Sequence, residues 1–585
     1  MRKEIRTQIW NRVSAAQGRV RAAIENVGGT VYAQVAVTNT IGAELPADVI
    51  VQIAGLAEVE SIGLETEGQP ALAHSVAAIN AASFWDAGFD GGNYDIAIVE
   101  RGVDSDHPDL RSVSSGDLIK RNSNDESAHG TQVAGVAAST NTADKGVAFG
   151  LDKILDASFE RRNWGDAMNA MEWAVSQASD DAEVLNHSWR WKKDDDYIMN
   201  AEDTDWSDMG QDLDEFMDDY DVVVVLAAGN EAEEQEGPDF TLVWPNDSYN
   251  AISVANVDDQ GLTNRNSHII AADSSRGPTP LGRKKPDLAA PGQGIWTTDL
   301  GGGTAHVSGT SFAAPHVAGA ILLLWDHGMW HPAQLKALLI NSAEDKGPAG
   351  WDRAWGWGYI DLDTTLDQYD HAMIGSINAY GEKWYSGTMN AGEKATIAWL
   401  KHRGQSLVDL DLFLYASSDL QNPLDSSEHT RDNVEQVQRP SGSGTVYLKV
   451  VCWSNPGSQT FGLAPPNAFQ SIPPPAAPAI SPMVDEDNQL ALHRNYPNPF
   501  NPETWIPYQL ASEANVVIRI YNVDGQLVRT LNLGEQPAGN YMAQSKAAFW
   551  DGRNNEGSTV ASGVYFYTLE ADGKTTATYK MVMRK

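Results

Sequence analysis

The chain has 585 residues, more than one hydrophobic core can organise, and its length corresponds to about four domains. Hydrophobic residues make up 42% and charged residues 21%, the balance of a folded protein rather than a disordered one. With 79 acidic against 41 basic residues the formal charge is −38, which repels nucleic acid and anionic lipid, and no basic tract offsets it.

The start, Met1–Trp10, is charged and lacks the apolar centre of a signal peptide. Either the protein stays inside the cell or the export signal is missing from this version of the sequence. Periodicity predicts a small α+β unit over residues 1–67: a helix at Arg12–Asn26, a strand at Thr30–Val37, a helix at Pro46–Glu58 and a closing strand at Val59–Leu64. A connector with one short helix follows over 68–92. From Tyr94 to about Asp370 strands and helices alternate, which predicts an α/β domain with a doubly wound, mostly parallel sheet. Its clearest strands are the apolar runs Ile96–Val99 and Val222–Ala228, with Ala182–Asn186 between them; Trp164–Ser179 and the segment carrying Leu213, Phe216, Met217 and Tyr220 read as helices. The Asp-rich stretch Asp194–Asp221 reads as a solvated face.

Helical periodicity then disappears. Residues 371–463, with Val408–Tyr415 and Thr445–Val451, predict an antiparallel β-sandwich; 464–490 is a Pro-rich linker; 491–585 is a second all-β domain, with strands at Val516–Tyr521 and Gly563–Leu569. Asp409 and Asp411 alternate with apolar neighbours and are expected to face solvent. The longest apolar runs fall far short of the roughly 20 residues of a spanning helix, so no membrane span is expected. Cys452 is the only cysteine, which rules out an intramolecular disulfide.

Four segments carry chemistry. Ser308-Gly309-Thr310-Ser311-Phe312-Ala313-Ala314-Pro315 places a serine at a helix start, where free N–H groups favour developing negative charge. His129-Gly130-Thr131 opens a second helix of small residues with a histidine, the natural general base near neutral pH. Ile96-Ala97-Ile98-Val99-Glu100-Arg101-Gly102 ends an apolar strand in a carboxylate that can orient an imidazole. Val224-Val225-Leu226-Ala227-Ala228-Gly229-Asn230 ends another in an amide that can donate to an oxyanion.

In the order acid, His, Asn, Ser, these segments resemble the subtilase (subtilisin-like serine protease) family over roughly residues 94–365. Supporting motifs are His107-Pro108-Asp109-Leu110, Leu185-Asn186-His187-Ser188 and Lys285-Pro286-Asp287-Leu288-Ala289-Ala290-Pro291-Gly292. The resemblance implies a serine endopeptidase with Ser311 as nucleophile, His129 as general base, Glu100 as orienting acid and Asn230 in the oxyanion hole. It places Ser188, Trp189 and Arg190 on one side of the substrate cleft and Ala227, Ala228 and Gly229 on the other. The partner is a protein or peptide substrate; no cofactor is required for the chemistry and no metal ligand is assigned. Asp109 falls at a calcium-ligand position of the family, but the Asn141–Lys145 loop is short and contains Lys145, so a turn-bracing role is the competing reading.

The chain departs from the family where Asp and Ser or Thr are expected and Glu100-Arg101 stands instead. The extra methylene moves the carboxylate by about 1.5 Å unless backbone or rotamer compensates. If Glu100 is a suboptimal acid, shortening it to Asp should raise kcat; if the site is abandoned, the change should do nothing. Asp104 and Asp95 are the surrogate acids, each with a turn or strand-end reading. The alternative function is thus a pseudoprotease acting as a binding or cell-surface protein. Trp189-Arg190 replaces a smaller pair, and either narrows the cleft and adds a charged contact or packs against the acidic insert.

Residues 1–67 resemble a subtilase propeptide that would occupy the cleft as an inhibitor, with processing between about Glu65 and His74; the competing reading is a permanent subdomain. Residues 371–463 resemble the bacterial pre-peptidase C-terminal sandwich, where calcium binding at Asp409 and Asp411 competes with plain exposure. Asn495-Tyr496-Pro497-Asn498-Pro499-Phe500 and Gly563-Val564-Tyr565-Phe566-Tyr567 make 491–585 resemble an immunoglobulin-like C-terminal sorting domain. That match implies an extracellular or cell-surface protein that meets secretion machinery.

Overall fold

The computed structural model describes residues 2–35, 40–59, 71–110, 119–121, 126–176, 181–191, 198–199, 207–232, 240–262, 264–280, 282–416, 420, 422–454, 457–474, 491–493, 495–496, 500, 502–522, 525–541, 546–575 and 578–583. The chain forms two compact units, Met1–Gln69 and Pro70–Lys585.

In the first unit helix α1 (Arg2–Asn26) stacks Val20 and Ile24 against Ile53 of the one-turn helix α2 (Ile50–Ala54). Strands β1 (Thr30–Val35) and β2 (Thr40–Glu44) pair antiparallel. The first helix starts ten residues before the expected Arg12, whereas the expected Pro46–Glu58 helix shrinks to a 3₁₀ turn, Ala47–Val49, followed by α2. Beyond Val59, the expected closing strand lies outside the described residues.

The second unit opens with two short helices rather than one, α3 (Ala71–Ala78) and α4 (Ala82–Asp86). Its central sheet contains β3 (Asp95–Ile98), β4 (Ile119–Lys120), β5 (Lys153–Asp156), β6 (Val184–His187), β7 (Val223–Ala227), β8 (Ile252–Asp258), β9 (Ile269–Ile270) and β10 (Leu288–Pro291). The order is β10-β8-β7-β6-β3-β5-β4, all parallel, with β9 antiparallel on β8. Interspersed are α5 (Ala128–Ala138), α6 (Trp164–Ala174), α7 (Asp208–Tyr220), α8 (Thr310–Asp326) and α9 (Pro332–Ser342).

Short apolar strands are buried on both faces because alternate residues serve two cores. Ile96, Ile98, Val225 and Val254 join α5 and α8, while Ala97, Val99, Leu185 and Val224 join α6 and α7. On α7, Leu213, Phe216 and Met217 are buried as expected, but Tyr220 is 39% exposed. Asp214 corrects the solvated-face expectation: it is buried and accepts from Ser248 Oγ and from the Tyr249 and Asn250 N–H groups, so it fixes a turn. Parallel strands also send their carboxyl ends to one edge of the sheet, where a site can form.

At the opposite edge, Glu183 Oε2 accepts the Asp95 N–H at 2.7 Å. Burial, then the charge of Asp152, pushes Asp95 up to about 6. Burial, aided by the charge of Asp95, pushes Glu183 up to about 7. The folded state therefore holds protons that the unfolded chain releases from about pH 4, and stability contributed at low pH is lost as pH rises through 7. Glu183→Gln keeps an acceptor without the charge, and should raise the unfolding temperature by about 2 °C at pH 8 while changing it little at pH 4.5; thermal scans at both pH values check this.

The sandwich packs a four-stranded sheet (Met373–Asn378, Ser458–Ala464, Lys394–Trp399, Val434–Gln438) on a five-stranded one (Asp425–Ser427, Leu410–Ala416, Ser443–Cys452, Glu382–Asn390, Gln470–Ile472). Gln470–Ile472 pairs with Glu382–Asn390, so the sandwich runs past the expected linker start at 464; residues 475–490 lie outside the described residues. Leu410, Leu412 and Leu414 fill its core. Asp411, on the other face, is 5% exposed rather than solvated: the Trp453 indole N–H donates to it, and burial together with Asp409 pushes its carboxyl up to about 9. Burial likewise raises the partly exposed Asp409 to about 6.

Helix α9 docks on the four-stranded sheet, where Thr396 Oγ1 donates to Asn341 Oδ1 at 2.9 Å and Lys394 Nζ to the Ala343 carbonyl at 2.8 Å. A Cβ at Gly462 would stand 2.4 Å from the Ala333 carbonyl oxygen, so only glycine lets sheet and helix backbone touch. In the C-terminal region Ala514–Asn522, Leu527–Gln536, Gly563–Ala571, Lys574–Thr575 and Tyr579–Met583 form an antiparallel sheet over Ile518, Ile520, Trp550 and Tyr567. No described helix is long and apolar enough to cross a membrane.

Candidate active site

Just beyond β3, hydrogen bonds from Val99 N to the Asn186 carbonyl and from Phe159 N to the Glu100 carbonyl hold the extended chain between its neighbours. Glu100 is completely buried. Its Oε1 accepts from His129 Nδ1 at 2.8 Å, and its Oε2 accepts the Arg101 N–H at 3.2 Å. The ion pair of Glu100 is with His129; none joins it to the Arg101 guanidinium.

Gly130, in the first turn of α5, brings that helix against the strand end that carries Glu100. A Cβ there would lie 2.2 Å from the Gly102 carbonyl oxygen and 3.2 Å from Glu100 Cβ, so a bare glycine lets helix start and strand end close on each other. Ser127 Oγ caps this helix, accepting the Gly130 N–H. Burial lowers the His129 pKa, but the charge and hydrogen bond of Glu100 outweigh it, and the imidazole ends above its ordinary value. Asp104 and Asp95 stay apart from this pair. Asp104 accepts the Asp106 and Gly301 N–H groups in a turn, and Asp95 begins β3 beside Glu183.

Ser311 is the second residue of α8, among the helical N–H groups that have no acceptor one turn back. His129 and Ser311 line one cavity of 440 Å³. The Ser311 hydroxyl donates to the Ser188 carbonyl at 3.2 Å, and no hydrogen bond joins it to His129. A hydrogen bond between nucleophile and base often forms or tightens only with substrate present. Phe312 sits edge-on to the imidazole, ring centres 5.6 Å apart.

Asn230 follows β7 and is exposed at the mouth of the cavity. Its Oδ1 accepts both the N–H and the hydroxyl of Thr310 at 2.9 Å, which assigns Nδ2 as the amide's donor for a ligand.

One wall of the cavity is formed by Ser188, Trp189 and Arg190, the other by Ala227, Gly229 and Asn230. Ala228 is a correction: alternation along the strand end turns it into the core, fully buried. Trp189 does not pack against the acidic insert alone, since its ring meets Phe159 at 5.5 Å and His129 at 6.4 Å. Arg190 pairs with Glu231, which is 1% exposed. Sequence reasoning missed Thr310 and Glu231. Both adjoin residues that were singled out, Ser311 and Asn230, but no pattern distinguishes a supporting neighbour from an ordinary cap or turn.

Asp109 is bonded to the Thr140–Asn141 turn. Its Oδ2 accepts from Asn141 Nδ2 at 3.2 Å, its carbonyl accepts from Thr140, and the Lys145 ammonium lies over the Phe149 ring at 3.9 Å. Among the described residues no three His, Cys, Asp or Glu side chains converge to hold a metal ion.

A family profile described as the subtilase family matches residues 91–358, and one described as the FlgD Ig-like domain matches 502–575. Subtilisin E from Bacillus subtilis is 29% identical over 353 residues, 58% of this chain and 84% of that protein. Thermitase from Thermoactinomyces vulgaris is 30% identical over 277 residues, 46% of this chain and 86% of that protein. Serine protease AprX from Bacillus subtilis is 28% identical over 308 residues, 46% of this chain and 65% of that protein.

Proposed function

Because this chain belongs to the subtilase family of serine endopeptidases, we propose that it cleaves protein substrates through an acyl-enzyme formed on Ser311. The observation that carries this reading is the 2.8 Å hydrogen bond between the buried Glu100 and His129. It fixes the proton on Nδ1 and leaves Nε2 as the base. Nε2 takes the Ser311 proton as Oγ attacks the substrate carbonyl, and Glu100 stabilises the imidazolium. The oxyanion is received by Asn230 Nδ2 and the Ser311 N–H. The imidazolium then protonates the leaving amine, and water repeats the sequence on the acyl group. Asn230→Ala should lower kcat about 10²–10³-fold with little change in KM.

The second reading, a binding protein with an idle cleft, draws on the Ser311 hydroxyl being bonded to Ser188 rather than to His129. A fluorophosphonate probe separates the two: an adduct mapped to Ser311 supports the protease, and none after removal of the first unit supports the binding protein.

In this reading residues 1–67 act as an inhibitory propeptide released near residues 65–74. Residues 371–463 form a pre-peptidase C-terminal-like sandwich, and 491–585, whose Ig-like nature rests on the matched 502–575, serve export. The protein then works outside the cell or at its surface.

A further inference from the structure

The two walls of the substrate cavity are tied together by a charged bridge. Arg190, on the wall that follows β6, pairs through Nη1 with Oε1 of Glu231, which lies directly behind the wall that follows β7. The carboxylate is anchored: it is 1% exposed, and its Oε2 accepts the Asn230 N–H at 2.6 Å and the Ser275 hydroxyl at 3.1 Å. It also stands close behind the cavity lining, since a Cβ on the cavity residue Gly229 would be 2.5 Å from Oε2. The arginine side chain retains 45% exposure at the cleft.

The backbone on either side of Arg190 is held by packed neighbours. Trp189 is wedged against Phe159, and Trp191 is 5% exposed, packed on Phe159 at 5.4 Å and Trp164 at 5.8 Å, with its indole N–H donating to His187 at 3.0 Å. A guanidinium that starts on one wall and ends on a carboxylate behind the other crosses the space a substrate side chain would enter. We propose that Arg190, held by Glu231, fills this pocket from the protein's own side and limits the residue on the acyl side of the scissile bond to short side chains without positive charge.

Two kinds of competitor are excluded for different reasons. A bulky apolar side chain would have to break an ion pair whose carboxylate would then be left buried and unpaired. A lysine or arginine would approach a guanidinium of like charge, and the Glu231 carboxylate is already paired with that guanidinium. The inference rests on the reading of the cavity as the acyl-side pocket of a serine endopeptidase.

The test is kcat/KM for a peptide series with Ala, Ser, Leu, Phe, Lys or Arg before the cleaved bond. Ala and Ser are expected to exceed Phe, Lys and Arg by about tenfold or more. Arg190→Gly should raise Phe, Lys and Arg by about tenfold, the substrate's cation now meeting Glu231. Arg190→Gly with Glu231→Gln should keep the gain for Phe and lose it for Lys and Arg. A wild type that prefers bulky or basic residues, or an Arg190→Gly chain with an unchanged ranking, overturns the proposal. If no variant cleaves any peptide and no probe labels Ser311, the protease reading fails separately. The same peptides are then titrated against the Ser311→Ala chain by calorimetry, where the same ranking is expected and a flat one overturns the pocket assignment.

Discussion

Replacing Ser311 with alanine should lower kcat about a millionfold at nearly constant KM, the loss measured in subtilisin when its nucleophile is removed. The size follows from the chemistry: without Oγ no acyl-enzyme forms, and only binding and oxyanion stabilisation remain, worth about 10³–10⁴ over water. The substitution is also clean. The hydroxyl's hydrogen bond in the structure is the one to the Ser188 carbonyl, and alanine is the best helix former, so the variant should fold with an unchanged unfolding temperature. Turnover of a fluorogenic peptide by both proteins, with a thermal scan beside it, checks both halves. A loss below a hundredfold would place the nucleophile elsewhere.

Glu100→Gln should cost about 10⁴-fold in kcat, because an amide opposite Nδ1 no longer enforces the tautomer that leaves Nε2 basic. Glu100→Asp should also lose activity, by about a hundredfold, the cost of misplacing a catalytic contact by about 1 Å. The sign is opposite to the gain expected of a suboptimal acid, and the loss also differs from the unchanged activity expected of an abandoned site. Glu100 already reaches His129 at 2.8 Å, and a shorter acid on the same backbone would fall short.

The pH profile supplies a second readout. His129 acts only when neutral, and Glu100 holds its pKa above the ordinary value, so kcat/KM should fall as pH drops through that raised pKa. Removing the charge in Glu100→Gln should shift this limb to lower pH. An unmoved limb would mean that another group supports the imidazole.

The strands and helices that hold the site were legible because each has one strong signal. Val222–Ala228 is too apolar and too short to be anything but a central strand, and Ser308–Pro315 announces a helix start. Glu100, His129, Asn230 and Ser311 were therefore legible as candidates, and Glu100 and His129 do bond to each other. What escaped depends on distances between segments far apart in the chain. Nothing local says that Gly130 lets its helix close on the Gly102 carbonyl, that Arg190 reaches Glu231, or that the polar side of the Asp409–Asp411 strand is covered by Trp453. Alternation tells which way a side chain points, but not what waits there.

The contact between α9 and the sandwich has a bearing on how this molecule comes apart. With Gly462 laid on the helix backbone and Thr396 and Lys394 bonded to its final turn, the sheet takes the place of solvent along that helix. A protein trimmed near residue 372 would bare that surface to water, and would be expected to clump on warming at temperatures the longer chain withstands. What looks in the sequence like a passenger behaves mechanically as a buttress.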